Sequence, residues 1–107
     1  MPWRVVLHDE RVVAELEAQS DDMRARFVRI ANLIEIQGLE RVREPYVKHI
    51  EGKLWEMRMK SKAGIARALY VTASGQRVVV VHIFAKKTAK TPRRAIRLAL
   101  QRAEDVS

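Results

Sequence analysis

Three apolar segments, 54–60, 65–72 and 77–84, follow one another with only short breaks, and that spacing constrains the fold more than any other feature of the chain. Leu54–Lys60 alternates: Trp55, Met57 and Met59 fall on one face, Leu54, Glu56 and Arg58 on the other, the period-two pattern of a half-buried strand. Ile65–Thr72 repeats the pattern, with Ile65, Arg67, Leu69 and Val71 sharing a face. Arg77–Phe84 is a β-branched run too apolar for an edge, which places it inside the sheet. The breaks, Ser61-Lys62-Ala63-Gly64 and Ala73-Ser74-Gly75-Gln76, carry turn residues, so the three segments read as a meander of short hairpins.

The segments before the meander are helical in pattern. Trp3–Leu7 is a short apolar run that reads as a strand. Asp9 and Glu10 then open a helix ending near Gln19, with Val12, Val13 and Leu16 as its apolar stripe. Ser20 is a good N-cap for a second helix, with Asp21 and Asp22 at its positive end. Met23, Phe27, Ile30 and Ile34 recur at helical spacing; Arg24, Arg26 and Arg29 lie off that stripe, and Gly38 fits the residue just past the helix end. The short break between the helices predicts a helical hairpin. Leu39–Pro45 connects to an extended segment, Tyr46–Ile50. After the meander, Thr91-Pro92 predicts a last helix with Thr91 as N-cap and Pro92 at its first position. The expectation is therefore one α+β domain, residues 1–107: an antiparallel sheet of four or so strands, an N-terminal helical hairpin and a C-terminal helix, with the helices on one sheet face and the other face partly open.

Charge is divided unevenly along this framework. Residues 1–52 hold 8 basic and 10 acidic side chains, whereas residues 53–103 hold 13 basic ones and a single acid, Glu56. The whole chain of 107 residues carries +8. A basic half of this kind suits a polyanionic partner, nucleic acid above all.

Several chemistries find no support. There is no cysteine, hence no thiol nucleophile and no disulfide framework, which is compatible with a reducing cytoplasm. His8, His49 and His82 form no metal-ligand pair, so neither a metal nor a cofactor is expected. The serines stand in caps, turns or at the terminus rather than in a nucleophile elbow, and the four glycines form no phosphate loop. No apolar run is long enough to cross a membrane, and the N-terminus lacks the extended apolar stretch of a signal peptide.

The basic half keeps two readings open. Arg67 shares its face with Ile65, Leu69 and Val71, where an unpaired charge is costly; it either pairs with Glu56 across the strands or faces a polyanion. Lys86-Lys87-Thr88-Ala89-Lys90-Thr91 leads into a helix N-terminus and is either a phosphate contact or a solvated loop. Lys53, Lys86, Lys90, Arg93 and Arg97 are the candidate RNA-binding cations. The few aromatics give no broad base-stacking platform.

Three motifs in order, Leu54-Trp55-Glu56-Met57-Arg58, Gly64-Ile65-Ala66-Arg67-Ala68-Leu69-Tyr70, and Val81-His82-Ile83-Phe84-Ala85-Lys86-Lys87-Thr88-Ala89-Lys90-Thr91-Pro92, resemble the RelE/HigB toxin superfamily, in particular its phage-derived, HigB-like branch. The resemblance spans about residues 46–105. It implies a small microbial-ribonuclease-like fold and a type II toxin–antitoxin toxin: a metal-independent mRNA endoribonuclease (mRNA interferase) that acts in the ribosomal A site and inhibits translation. It also implies a cognate antitoxin, often of helix-turn-helix type, through which alone the toxin would meet DNA. By position, Arg67 corresponds to an arginine that contacts the scissile phosphate, Arg58 to a basic residue on the preceding strand, and Lys87 to one just after the last strand, with Lys86 and Lys90 beside it on the RNA backbone. Glu56 stands where the RelE branch has lysine and can act as a base or orient Arg58 or Arg67. The superfamily's C-terminal Tyr or His has no counterpart in Pro92-Arg93-Arg94-Ala95-Ile96-Arg97, which leaves the general base unassigned and a non-catalytic RNA- or ribosome-binding module as the alternative.

Overall fold

The structure, a computed structural model, describes residues 2–62, 64–86 and 90–107, and for Lys86 the backbone only. In chain order it contains β1 (Arg4–Leu7), α1 (Glu10–Glu17), α2 (Asp21–Gln37), a 3-10 turn (Leu39–Arg41), β2 (Val47–Glu51), β3 (Leu54–Ser61), β4 (Gly64–Ala73), β5 (Arg77–Lys86), α3 (Arg93–Arg102) and a closing 3-10 turn (Ala103–Asp105). The expected α+β architecture is present, and no helix among the described residues is long and apolar enough to cross a membrane.

The five strands form one sheet in the order β1-β5-β4-β3-β2. β2 through β5 pair antiparallel, as a meander requires. β1 is the exception: it lies parallel to β5, with Val5 beside Val78, and shields the apolar strand that the sequence places inside the sheet. β4 and β5 slip register once. Leu69 pairs with His82, yet the next residue, Tyr70, pairs with Val80, the extra residue of a β-bulge.

Local chemistry sets the helix ends. The Asp9 carboxylate accepts from the Arg11 and Val12 amides at the start of α1, and the Ser20 hydroxyl accepts from the Met23 amide at the start of α2. These satisfy donors that a helix N-terminus leaves unpaired. Gly38 ends α2 at φ 92°, a conformation that a side chain disfavours. At α3 the cap differs from expectation: Pro92 occupies the N-cap position without a side-chain cap, and the helix begins at Arg93. Thr91 is drawn inward instead.

The two sheet faces bury different cores. On one, Met57, Met59, Ala66, Ala68, Tyr70, Val78 and Val80 meet Val12 of α1 and Met23, Phe27, Ile30 and Ile34 of α2. On the other, Leu54, Leu69, Val71, Val79 and Val81 meet Ala95, Ile96 and Ala99 of α3. The expectation that all helices share one face is therefore corrected. The α3 stripe is apolar, so it too must be buried, and its place is the face left free by α1 and α2. That face carries Glu56, Arg58 and Arg67.

Candidate functional site

Arg67 and Glu56 are the charged residues that the fold buries, at 0% and 1% relative exposure among the described residues. Strand register explains why they meet. Arg67 lies opposite Arg58, and Glu56 opposite Leu69, so Glu56 and Arg67 are diagonal neighbours on one face, within reach of long side chains. Alternation then puts Arg58 on the same face as Glu56.

The carboxylate of Glu56 is the hub. Its Oε1 accepts from the Thr91 hydroxyl at 2.7 Å and stands 3.5 Å from Arg67 Nη1. Arg67 Nη1 donates to Thr91 Oγ1 at 2.8 Å. Thr91 thus accepts from the guanidinium and donates to the carboxylate, using both capacities of its hydroxyl. Glu56 Oε2 is 3.4 Å from Arg58 Nε. The Arg58 side chain is 25% exposed, against 0% for Arg67. The cluster therefore has a sealed floor and an open rim. One carboxylate faces two guanidinium groups, so a positive charge is left over next to a low-dielectric interior, where an anion at the rim is held more strongly than in water.

Both sequence readings of Arg67 bear on this geometry. The Glu56–Arg67 pair exists, with Thr91 inserted between its partners. Direct access of Arg67 to an outside phosphate does not exist in this arrangement. The sequence pattern marks Thr91 only as a helix cap; the signal for its inward place is the proline directly after it, which can itself begin the helix.

The remaining sequence candidates do not converge on this cluster. Arg93 is exposed and forms an ion pair with Glu51 at 2.5 Å, which raises its already high pKa. Lys53 is exposed in the β2–β3 turn, beside the strand that supplies Glu51; Arg97 is exposed one helical turn beyond Arg93, and Lys90 is exposed just before Thr91. Lys86 closes β5 with its backbone opposite Ile65. Lys87 lies outside the described residues. The Arg93–Glu51 pair brings the start of α3 to the end of β2, next to the turn that carries Lys53, whereas Lys86 lies at the far end of the ladder, where Ile65 stands opposite Lys60.

Other ionisable groups are committed elsewhere. His82 Nδ1 is 3.1 Å from Glu15 Oε1, while Glu15 Oε2 accepts from Arg102 at 2.9 Å, a network that ties α1 and α3 to β5. Tyr70 belongs to the opposite face, and burial pushes its phenol above the usual range. Among the described residues, no group of three or more His, Cys, Asp or Glu side chains is placed to hold a metal ion.

The family model described as "Phage derived protein Gp49-like" matches residues 14–104. The chain belongs to that family, a RelE-like toxin family of toxin–antitoxin systems. The matched span includes Glu56, Arg58, Arg67 and Thr91. No curated protein matches the chain.

Proposed function

We propose that this protein is the toxin of a type II toxin–antitoxin system, of the HigB-like kind, and that it works in the cytoplasm as a metal-independent endoribonuclease on ribosome-bound mRNA. A cognate antitoxin of helix-turn-helix type silences it and provides its only link to DNA. The observation that carries the reading is the Glu56–Arg58–Arg67–Thr91 cluster, whose surplus positive charge opens at Arg58.

In the proposed reaction a ribose 2′-oxygen attacks the adjacent phosphorus. The bond to the 5′-oxygen breaks, and the proton lost by the 2′-hydroxyl is balanced by one gained at the departing oxygen. The products are a 2′,3′-cyclic phosphate and a 5′-hydroxyl. Negative charge grows on the phosphate oxygens in the transition state. Arg58 at the rim meets that charge, with Lys87, which follows β5 in the sequence, as a second donor. Glu56 and Thr91 hold Arg67 beneath, and Glu56 fixes the guanidinium of Arg58 in turn, so Glu56 and Arg67 serve as positioning residues. Lys53, Lys86, Lys90, Arg93 and Arg97 bind the RNA or ribosomal backbone. Loss of one fixed donor to a developing oxyanion costs about 10²–10³-fold in rate.

Induced expression tests this. Growth arrest is expected, together with new 5′-hydroxyl ends inside translated coding regions and none in the same transcripts lacking a start codon. The sealed position of Arg67 favours one other reading, a module that binds RNA or the ribosome without cutting; arrest without new ends would establish it in place of the nuclease.

A further inference from the structure

Arg58 belongs to a second feature. Beyond the cluster it borders a cavity of about 420 Å³ between α2, the connection before β2 and the outer ends of β3 and β4. The walls carry Arg26 and Arg29 from α2 and Lys60 from β3, and the apolar lining includes Ile30 and Ile65. Tyr46, 40% exposed, stands at the same cavity. Arg26 has a weak, exposed partner in Asp22 at 3.3 Å, one helical turn away. Neither Arg29 nor Lys60 has a carboxylate within ion-pairing distance among the described residues.

This combination is specific in its chemistry. Pockets for small ligands measure roughly 300–1,000 Å³, so the space suits a single planar group with its attachments. An apolar lining with one accessible phenol ring suits the face of a base, since stacking on aromatics is how unpaired bases are held. Cations on two sides suit phosphates to either side of that base. Arg58 is common to both features: it lines the cavity and pairs with Glu56 in the cluster.

We propose that this cavity seats one unpaired nucleotide of the RNA strand next to the cleaved phosphate, its base against Tyr46 and its flanking phosphates on Arg29, Lys60 and Arg26. The inference rests on the nuclease reading for its placement beside a cleaved bond, though RNA binding there can be read independently. An acidic segment of a protein is the competing occupant, but it would leave the apolar lining and Tyr46 without a role.

The test uses the isotopically labelled full chain and a short single-stranded RNA carrying 2′-O-methyl groups, which cannot be cut. Saturable shifts at Ile30, Tyr46 and Ile65 are expected. Tyr46→Ala should weaken binding roughly tenfold, and the Arg29→Ala, Lys60→Ala double variant should lower the salt slope of log affinity by about 1.4. Unmoved Ile30 and Ile65 signals, or shifts there produced by polyglutamate as strongly as by RNA, would overturn the proposal. The two readings fail separately: RNA-induced shifts without cleavage in cells support the cavity and refute the nuclease, whereas cleavage with unmoved signals refutes the cavity alone.

Discussion

The two faces of the sheet are built on opposite principles. Beneath α1 and α2 the buried side chains that β3, β4 and β5 contribute carry no charge among the described residues and are apolar apart from the Tyr70 hydroxyl, from Met57 and Met59 to Val78 and Val80. Beneath α3 the face is apolar only where Leu69, Val71, Val79 and Val81 meet Ala95, Ile96 and Ala99; toward Thr91 it turns ionic, with Glu56 and Arg67 sealed and Arg58 at the rim. An apolar face stabilises in proportion to the area it hides, about 25 cal/mol per Å². An ionic one pays desolvation that its own attraction only partly offsets, and apolar replacements of similar volume are often neutral or stabilising. Stability alone therefore accounts for the first face and fails to account for the second. What the second gains is a preorganised positive charge at a surface.

That contrast can be broken by substitution. Glu56→Ala leaves Arg67 buried without its carboxylate and should cost about 3–5 kcal/mol in denaturant unfolding, the usual penalty for removing one partner of a buried pair. Met57→Ala, the adjacent residue on the opposite face, should cost about 2–5 kcal/mol through its cavity, but without altering RNA affinity. Thr91→Val removes the hydroxyl that bridges Arg67 and Glu56 at nearly constant volume; about 1–3 kcal/mol is expected from the groups left with one partner fewer. Such a variant that unfolds like the wild type would show that the bridge is incidental.

The smallest effect lies at the N-cap of α1. The hydrogen bond from Arg11, together with the Val12 amide, holds the Asp9 carboxyl at about 2, below its ordinary 3.8. A carboxylate depressed in the folded state stabilises above its unfolded pKa, and the benefit fades as pH falls through the folded one. Asp9→Ala should thus cost about 1 kcal/mol near neutrality as a lost helix cap, and flatten the decline in stability between pH 4 and pH 2. An unchanged acid limb would remove Asp9 from the causes of acid unfolding.

How legible this was in the sequence follows from range. Period-two alternation in Leu54–Lys60 and Ile65–Thr72 assigns each side chain to a face without reference to anything distant, and it correctly groups Glu56 with Arg58 and Arg67 with Leu69 and Val71. The caps at Asp9 and Ser20 and the glycine after α2 are equally local. Which helix covers which face is not a local property. The parallel pairing of β1 with β5 joins residues more than seventy positions apart, and the α3 stripe is apolar whichever face it covers. The sealing of Arg67 depends on that choice, as does the inward turn of Thr91. So the components of the cluster are readable from the strands, while its depth and its fourth member come from the packing of α3.

If the ionic end of the α3 face is kept for function rather than for folding, apolar replacement there should abolish activity without cost in stability. The most direct test is the paired substitution Glu56→Leu with Arg67→Met, which replaces the sealed pair by apolar side chains of similar volume. Unfolding free energy and toxicity on induction are measured on the same protein. A stability equal to the wild type or up to about 4 kcal/mol higher is expected, with growth arrest abolished because Arg58 has lost the carboxylate that aims it. A paired variant that folds and arrests growth as the wild type does would contradict that expectation.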